Sequence, residues 1–225
     1  MDHAHVVSGK RAVIFDLDGT LVDTASSITR ALNRVRSRRG GLQPLSVVAV
    51  KQWISLGSDA LVRYGLAETR GNPKIDVAEF RTEYANIRTD PESLYDGVRE
   101  TLDVLANARL MLAVCSNKPQ RLCVKVLEDT GVLGYFPVVI GGDAVANPKP
   151  HPEHLLAAMR TLGSSCSQTV YVGDSSIDFL SAKAAGVPFL LARYGYADAP
   201  LLEVDRAAIR SLDSPKDLPA LLSEL

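Results

Sequence analysis

The stretch Ala12–Thr24, AVIFDLDGTLVDT, decides the fold. Its opening residues, Ala12 to Phe15, are apolar without alternation, the pattern of a strand covered on both faces. The strand runs straight into Asp16-Leu17-Asp18-Gly19. Carboxylates two residues apart at a strand end project to one side, and Gly19 lets the chain turn sharply beyond them. Asp and Gly are poor strand residues, so the fold gains little from them here. Carboxylates this close repel, and the remedies are a shared proton or a hard cation.

Working outward, four more short apolar runs are expected as strands: Leu110–Cys115, Val138–Ile140, Thr169–Val172 and Val187–Leu191. Between them lie helical stretches. Pro119–Glu128 gathers Leu122, Val126 and Leu127 on one face, Glu153–Leu162 gathers Leu155, Leu156 and Met159, and Phe179–Ala185 stops at Gly186. Alternation of this kind from Leu110 onward implies βαβ units in a doubly wound α/β domain. The interval from Thr24 to Glu92 differs. Ile28, Ala31, Leu32 and Val35 share a helix face, as do Leu61, Val62 and Leu66, with breaks at Gly40-Gly41, Gly57 and Gly71-Asn72-Pro73. About seventy largely helical residues exceed a crossover and predict an inserted subdomain.

Each later strand ends in polar residues. Ser116-Asn117 follows the second, Lys149-Pro150 the third, and Gly173-Asp174-Ser175-Ser176-Ile177-Asp178 the fourth. Parallel strands deliver all of these, with Asp16 and Asp18, to one sheet edge, where open α/β sheets bind ligands. Carboxylates, a hydroxyl, an ammonium and helix N-termini together suit a magnesium ion plus a phosphate group. Taken singly, each has a plainer reading: Ser116 as a helix cap, Lys149 as a surface turn, Asp174 and Asp178 as first-turn helix acids. The order and strand-end placement of all four favour the site. His151 and His154 are read as helix-start residues, because magnesium prefers oxygen ligands.

Composition sets the bounds. In 225 residues, 46% are hydrophobic and 23% charged, which excludes a disordered or fibrous chain. Lys and Arg number 25 against 26 Asp and Glu, so the net charge of −1 provides no field for nucleic acid or an acidic membrane. Arg30, Arg34 and Arg38, in the basic run that also holds Arg36 and Arg39, lie on one helix stripe opposite the apolar one and read as a solvated face. Asp2, His3 and His5 interrupt the N-terminus where a secretory signal would need an apolar core. Val47–Val50 and Val187–Ala192 are too short to cross a bilayer. Cys115, Cys123 and Cys166 form no C-x-x-C, as expected of reduced thiols in a cytoplasmic protein. Nothing marks an oligomer interface.

With these residues in view, the chain resembles the haloacid dehalogenase superfamily and, within it, the phosphoglycolate phosphatase-like branch. The motifs that carry the resemblance are Asp16–Thr24 (DLDGTLVDT), Ser116–Pro119 (SNKP), Lys149–Leu155 (KPHPEHL) and Gly173–Asp178 (GDSSID), supported by Ala182–Gly186 and Tyr194–Tyr196. They span almost the whole chain. The resemblance implies a Rossmann-like core of residues 1–22 and 93–225 and a helical cap of residues 23–92. It implies a magnesium-dependent phosphatase acting on phosphoglycolate or a similar small phosphorylated metabolite. Asp16 would be the nucleophile that forms an aspartyl-phosphate, and Asp18 the general acid and then base. Magnesium would be held by Asp16, the Asp18 carbonyl and Asp174, with Asp178 supporting the metal or Lys149. Ser116 with its neighbour Asn117, and Lys149, would bind the phosphoryl oxygens, and Trp53, Ser55, Leu56 and Gly57 would form the cap's substrate loop.

Two places depart from the family pattern. Ile177 stands where Asn or Thr usually precedes the last Asp, and Trp53-Ile54-Ser55-Leu56-Gly57 replaces W-I-G-N-G. A phosphosugar mutase of the same superfamily is the nearest alternative reading, but such mutases typically use a cap histidine, and none lies between Thr24 and Glu92. Asp18 argues against a dehalogenase, and the intact acidic set against a degenerate binding module.

Overall fold

The computed structural model of the protein describes residues 9–40, 43–69, 71–196 and 209–225. Asp2, His3, His5 and Gly41 lie outside them. Six parallel strands form one sheet in the order β3-β2-β1-β4-β5-β6. These are β1 (Ala12–Phe15), β2 (Met111–Cys115), β3 (Val138–Ile140), β4 (Thr169–Gly173), β5 (Phe189–Ala192) and β6 (Ser211–Leu212). Phe15 is in register with Val114 of β2 and Val172 of β4, so the acidic residues that follow β1 enter the crevice where the strand order reverses. Alternation along the strands splits the core. Val13, Phe15, Val114 and Val172 pack on one face, while Ile14, Ala113, Cys115 and Tyr171 pack on the other.

Between β1 and β2 run α1 (Ala25–Arg38), α2 (Val47–Ile54), α3 (Ser58–Gly65), α4 (Pro73–Ala85) and α5 (Val98–Asn107). The later helices are α6 (Gln120–Asp129), α7 (Glu153–Leu162), α8 (Ser176–Ala185) and α9 (Leu218–Ser223). Helices α1 to α4 pack on one another as the inserted helical subdomain. The chain enters and leaves this insert through adjacent segments: Val22 bridges Leu94 in antiparallel fashion, Asp23 N–H donates to Ser93 O at 2.7 Å, and Tyr95 N–H donates to Leu21 O at 3.1 Å. Among the described residues no helix is long and apolar enough to cross a membrane.

Element boundaries differ from the expected ones for local reasons. β5 starts at Phe189 rather than Val187, because Val187 N–H closes the end of α8 on Ala182 O and Pro188 has no N–H to pair. α8 begins at Ser176, ahead of its apolar stretch, because Ser175 and Asp178 form a capping box. β6 is two residues long, too short for periodicity to register.

The basic run divides in two. Arg30, Arg34 and Arg38 are exposed, the latter two pairing with Glu83 of α4. Arg36 is buried instead, donating to Gly65 O at 2.8 Å, Gln43 O at 3.0 Å and Glu68 at 2.9 Å, while Arg39 pairs with Asp76 and Glu79. These arginines fasten α1 to the rest of the insert. Arg36→Gln strands the buried Gly65 carbonyl and should lower the unfolding free energy by about 1–3 kcal/mol, read from urea denaturation monitored by circular dichroism.

Candidate active site

The carboxyl ends of β1, β2 and β4, with the loop after β3, bring Asp16, Asp18, Ser116, Lys149, Asp174 and Asp178 together, all buried. Lys149 is the hub. Its Nζ lies 2.9 Å from Asp16 Oδ1 and 2.6 Å from Asp178 Oδ1, and contacts Cys115 O at 3.1 Å and the Tyr171 hydroxyl at 3.0 Å. Its backbone is clamped by Asn117, whose Oδ1 accepts from Lys149 N–H at 2.9 Å while its Nδ2 donates to Lys149 O at 3.0 Å.

Oxygen atoms of Asp16, Asp174 and Asp178 lie within 4.8 Å of one another. Their surroundings differ. Asp178 Oδ1 accepts from Lys149 and, at 2.6 Å, from Tyr171; Oδ2 accepts from Ser175 N–H at 3.1 Å and Ser175 Oγ at 2.5 Å. Burial, the largest single influence, would raise this carboxyl, but Lys149 together with the Ser175 and Tyr171 bonds holds Asp178 below its ordinary value. With four donors on two oxygens, Asp178 positions Lys149. Asp16 is pushed up to about 7 by burial, with repulsion from Asp178 and Asp18 adding and Lys149 opposing. Asp174 stands well above its ordinary value because of burial and then its acidic neighbours, against the Tyr196 N–H and Thr20 hydroxyl that donate to it. Burial opposes the charge on Lys149, yet Asp16 and Asp178 hold its pKa above the usual lysine value.

One ammonium therefore faces three carboxylates in a dry cleft. An all-oxygen set with negative charge to spare fits a hard divalent cation. The chain is shaped around Asp174. Gly19, with φ of 85°, passes so near that a Cβ there would collide with the Asp174 carboxylate. His154 is buried in α7, and desolvation followed by Lys149 pushes it down to about 4, so it is neutral near pH 7. His151 is exposed, its Nδ1 accepting from Glu153 N–H at 3.3 Å.

Asp18 faces a separate set of partners. Thr24 Oγ1 donates to its Oδ1 at 2.6 Å, and Lys118 Nζ lies 2.9 Å from its Oδ2. Thr24 is the N-cap residue of α1 yet makes no side-chain cap bond to that helix. Lys118 also reaches the insert, 3.4 Å from the Tyr84 hydroxyl of α4 and 4.6 Å from the centre of its ring. Ser116 Oγ accepts from Lys118 N–H at 3.3 Å. Of the expected cap loop, Leu56 and Gly57 line a crevice shared with Asn117 and Lys149, Trp53 stacks on Tyr64 at 5.5 Å between centroids, and Ser55 ends α2. Ile177, half-buried, places no polar atom before Asp178.

Several participants escape sequence reasoning. Lys118 sits inside the SNKP motif, but nothing in the string ties it to Asp18. Tyr171 is the one polar-tipped residue on the inner positions of an aliphatic strand, and Tyr84 is hidden in the apolar stripe it shares with Phe80.

Residues 13–192 match the family of haloacid dehalogenase-like hydrolases. The chain is 39% identical over 216 residues to the plasmid-borne phosphoglycolate phosphatase of Cupriavidus necator, covering 94% of this chain and 93% of that one. It is 34% identical over 218 residues to the phosphoglycolate phosphatase of Agrobacterium fabrum, with coverages of 94% and 92%. Among solved structures, a predicted phosphoglycolate phosphatase from Haemophilus somnus superposes with a TM-score of 0.84 at 27% identity, over 95% of this chain and 98% of that one.

A hard cation competes with protons for Asp16 and Asp174, whose carboxyls lie above their unfolded-state values. Above about pH 7 Asp16 carries charge at a cost that a bound cation offsets; at lower pH a proton has already relieved that cost. The rise in melting temperature on adding magnesium chloride, read by scanning fluorimetry against an EDTA control, should therefore grow between about pH 6 and about pH 8. A rise that shrinks over that interval contradicts a cation site at this cluster.

Proposed function

The chain belongs to the haloacid dehalogenase-like hydrolase family and is a phosphatase of that kind; on that premise we propose that it hydrolyses a small phosphomonoester, phosphoglycolate or a close relative, through a phosphorylated Asp16. The observation that carries this reading is the unlike setting of the two carboxylates that follow β1. Asp16 lies against Lys149 beside Asp174, whereas Asp18 is held by Thr24 and Lys118. Two carboxylates with separate partners can take separate roles.

Asp16 Oδ attacks phosphorus in line with the ester oxygen. The new P–O bond forms as the bond to the alcohol breaks, and Asp18 gives its proton to the departing oxygen. Asp18 then takes a proton from water, which attacks the phosphoaspartate and releases inorganic phosphate, restoring Asp16. Lys149 and the Ser116 hydroxyl bind the phosphoryl oxygens, where Lys149 offsets the repulsion between a carboxylate and a phosphate dianion. Asp178, Tyr171 and Asn117 keep Lys149 in place. Magnesium, when bound, would be held by Asp16, Asp174 and the Asp18 carbonyl and would neutralise charge on the phosphoryl group.

We take residues 23–92 as a cap. Support comes from its seat on the core, with Tyr84 against Lys118 and Gly57 so near Asn117 that a Cβ there would lie 3.6 Å from the Asn117 Cβ. A cap so seated excludes bulk water from the cleft.

With magnesium present, Asp16→Asn should lose roughly a thousandfold or more of kcat on both phosphoglycolate and p-nitrophenyl phosphate. Asp18→Asn should lose about 10²–10⁴-fold on phosphoglycolate but far less on the aryl ester, because a phenolate departs without a proton. Steady-state phosphate release measures both. Full turnover by Asp16→Asn, or equal losses on the two esters for Asp18→Asn, would remove the assigned roles.

A further inference from the structure

Asp18 has a lysine to itself. The Lys118 ammonium lies 2.9 Å from Asp18 Oδ2, and among the described residues Asp18 is the one carboxylate it pairs with. Lys149, by contrast, is shared between Asp16 and Asp178. The two lysines arrive on different loops, one after β2 and one after β3. The two carboxylates that follow β1 are therefore balanced by separate ammonium groups.

Lys118 is costly to keep where it is. It is buried, and the crevice beside it and Asp18 is only about 20 Å³, walled by Ile28, Ile54, Leu61 and Phe80 of the insert and Leu122 of α6. That is room for about one water. The ammonium also meets Tyr84, through a long contact to the hydroxyl at 3.4 Å and through the face of the ring at 4.6 Å. Burial opposes its charge, yet Asp18 and then Tyr84 hold Lys118 above the usual lysine value. An apolar side chain would serve packing as well as this buried pair does. The backbone is nonetheless firmly mounted. Lys118 N–H donates to Ser116 Oγ at 3.3 Å, and Lys118 O accepts from Gly142 N–H at 2.9 Å and from Cys123 Sγ at 3.3 Å. A fixed ammonium aimed at one carboxylate points to the chemistry of that carboxylate.

We propose that Lys118 is a positioning residue for the acid–base steps: it holds Asp18 Oδ2 and supplies the counter-charge to the carboxylate that Asp18 becomes on giving up its proton. This inference rests on the roles proposed for Asp16 and Asp18. In the first displacement the P–O bond to the alcohol breaks, its electron pair stays on the alcohol oxygen, and the Asp18 proton moves to that oxygen. The carboxylate left behind forms opposite an ammonium already in place, so the interaction strengthens as the proton departs. In the second displacement the same ammonium keeps the carboxylate aimed while it takes a proton from water. Lys118 retains its three protons throughout. The pairing matters most where the leaving oxygen needs a proton, as an alkoxide does and a nitrophenolate does not.

The test reads kcat/KM for 2-phosphoglycolate and for p-nitrophenyl phosphate, with magnesium present, and takes the ratio of the first to the second. In Lys118→Met the ratio should fall roughly ten- to hundredfold. Lys118→Gln, which keeps a donor without the charge, should fall in the same direction and carries the test if the methionine variant does not fold. Damage to packing lowers both esters together and leaves the ratio where it was. Built on Asp18→Asn, either substitution should change the ratio by less than about threefold, because the group it acts through is gone. A ratio within about threefold of wild type in the single variants overturns the role of Lys118. An equal fall with and without the Asp18 carboxyl shows that Lys118 meets the substrate directly, and overturns it too. Both results leave the parent reading in place so long as Asp18→Asn itself loses selectively on phosphoglycolate. Equal losses on the two esters in Asp18→Asn remove the parent assignment and this one together.

Discussion

Too little positive charge for the negative charge present, in a cleft closed to water, is the constraint on which the molecule depends. Asp16, Asp174 and Asp178 crowd one end of the sheet, and Lys149 is the ammonium that touches two of them. A buried ion of either sign is costly unless its partners are fixed in advance. Much of the surrounding structure serves that fixing: Asn117 clamps the Lys149 backbone, Tyr171 bridges Lys149 and Asp178, and the cap of α8 is built from Asp178 itself. The residual imbalance suits a hard cation at this place.

Local stability yields to the site at several points. Thr24 could cap α1 but gives its hydroxyl to Asp18, and β1 ends in residues that no strand favours. Such departures concentrate where chemistry is done, and stability returns elsewhere, in the aliphatic core and in the arginines that bind α1 to its neighbours. The insert follows the same logic: its apolar stripes pack inward on one another, while its edge facing the core carries Tyr84, Gly57 and Arg81.

Positions where chemistry and backbone geometry demand the same residue were plain in the amino-acid string. Asp16, Asp18 and Gly19 stand out because nothing else explains them at a strand end, and four of the five expected strands lie within one residue of their places at both ends; the fifth, Val187–Leu191, starts two residues late. Side chains whose role depends on remote partners were not plain. Arg36 reads like Arg34 and Arg38, and only the path of the chain past Gln43 and Gly65 buries it. Asp178 was expected to support the metal or Lys149, and its four donors come from partners the string does not connect. Lys118 and Tyr84 come from separate segments, and no local pattern announces that they meet beside Asp18.

The paired segments at Val22 and Leu94 carry an evolutionary consequence. Because the polypeptide departs from the sheet and returns to it at neighbouring posts, strand pairing does not depend on what is spliced between them. Helices of another length or composition could be grafted onto the same posts with the hydrolytic apparatus untouched. Selectivity and reactivity would then be inherited as separable traits, one free to drift while the other is conserved.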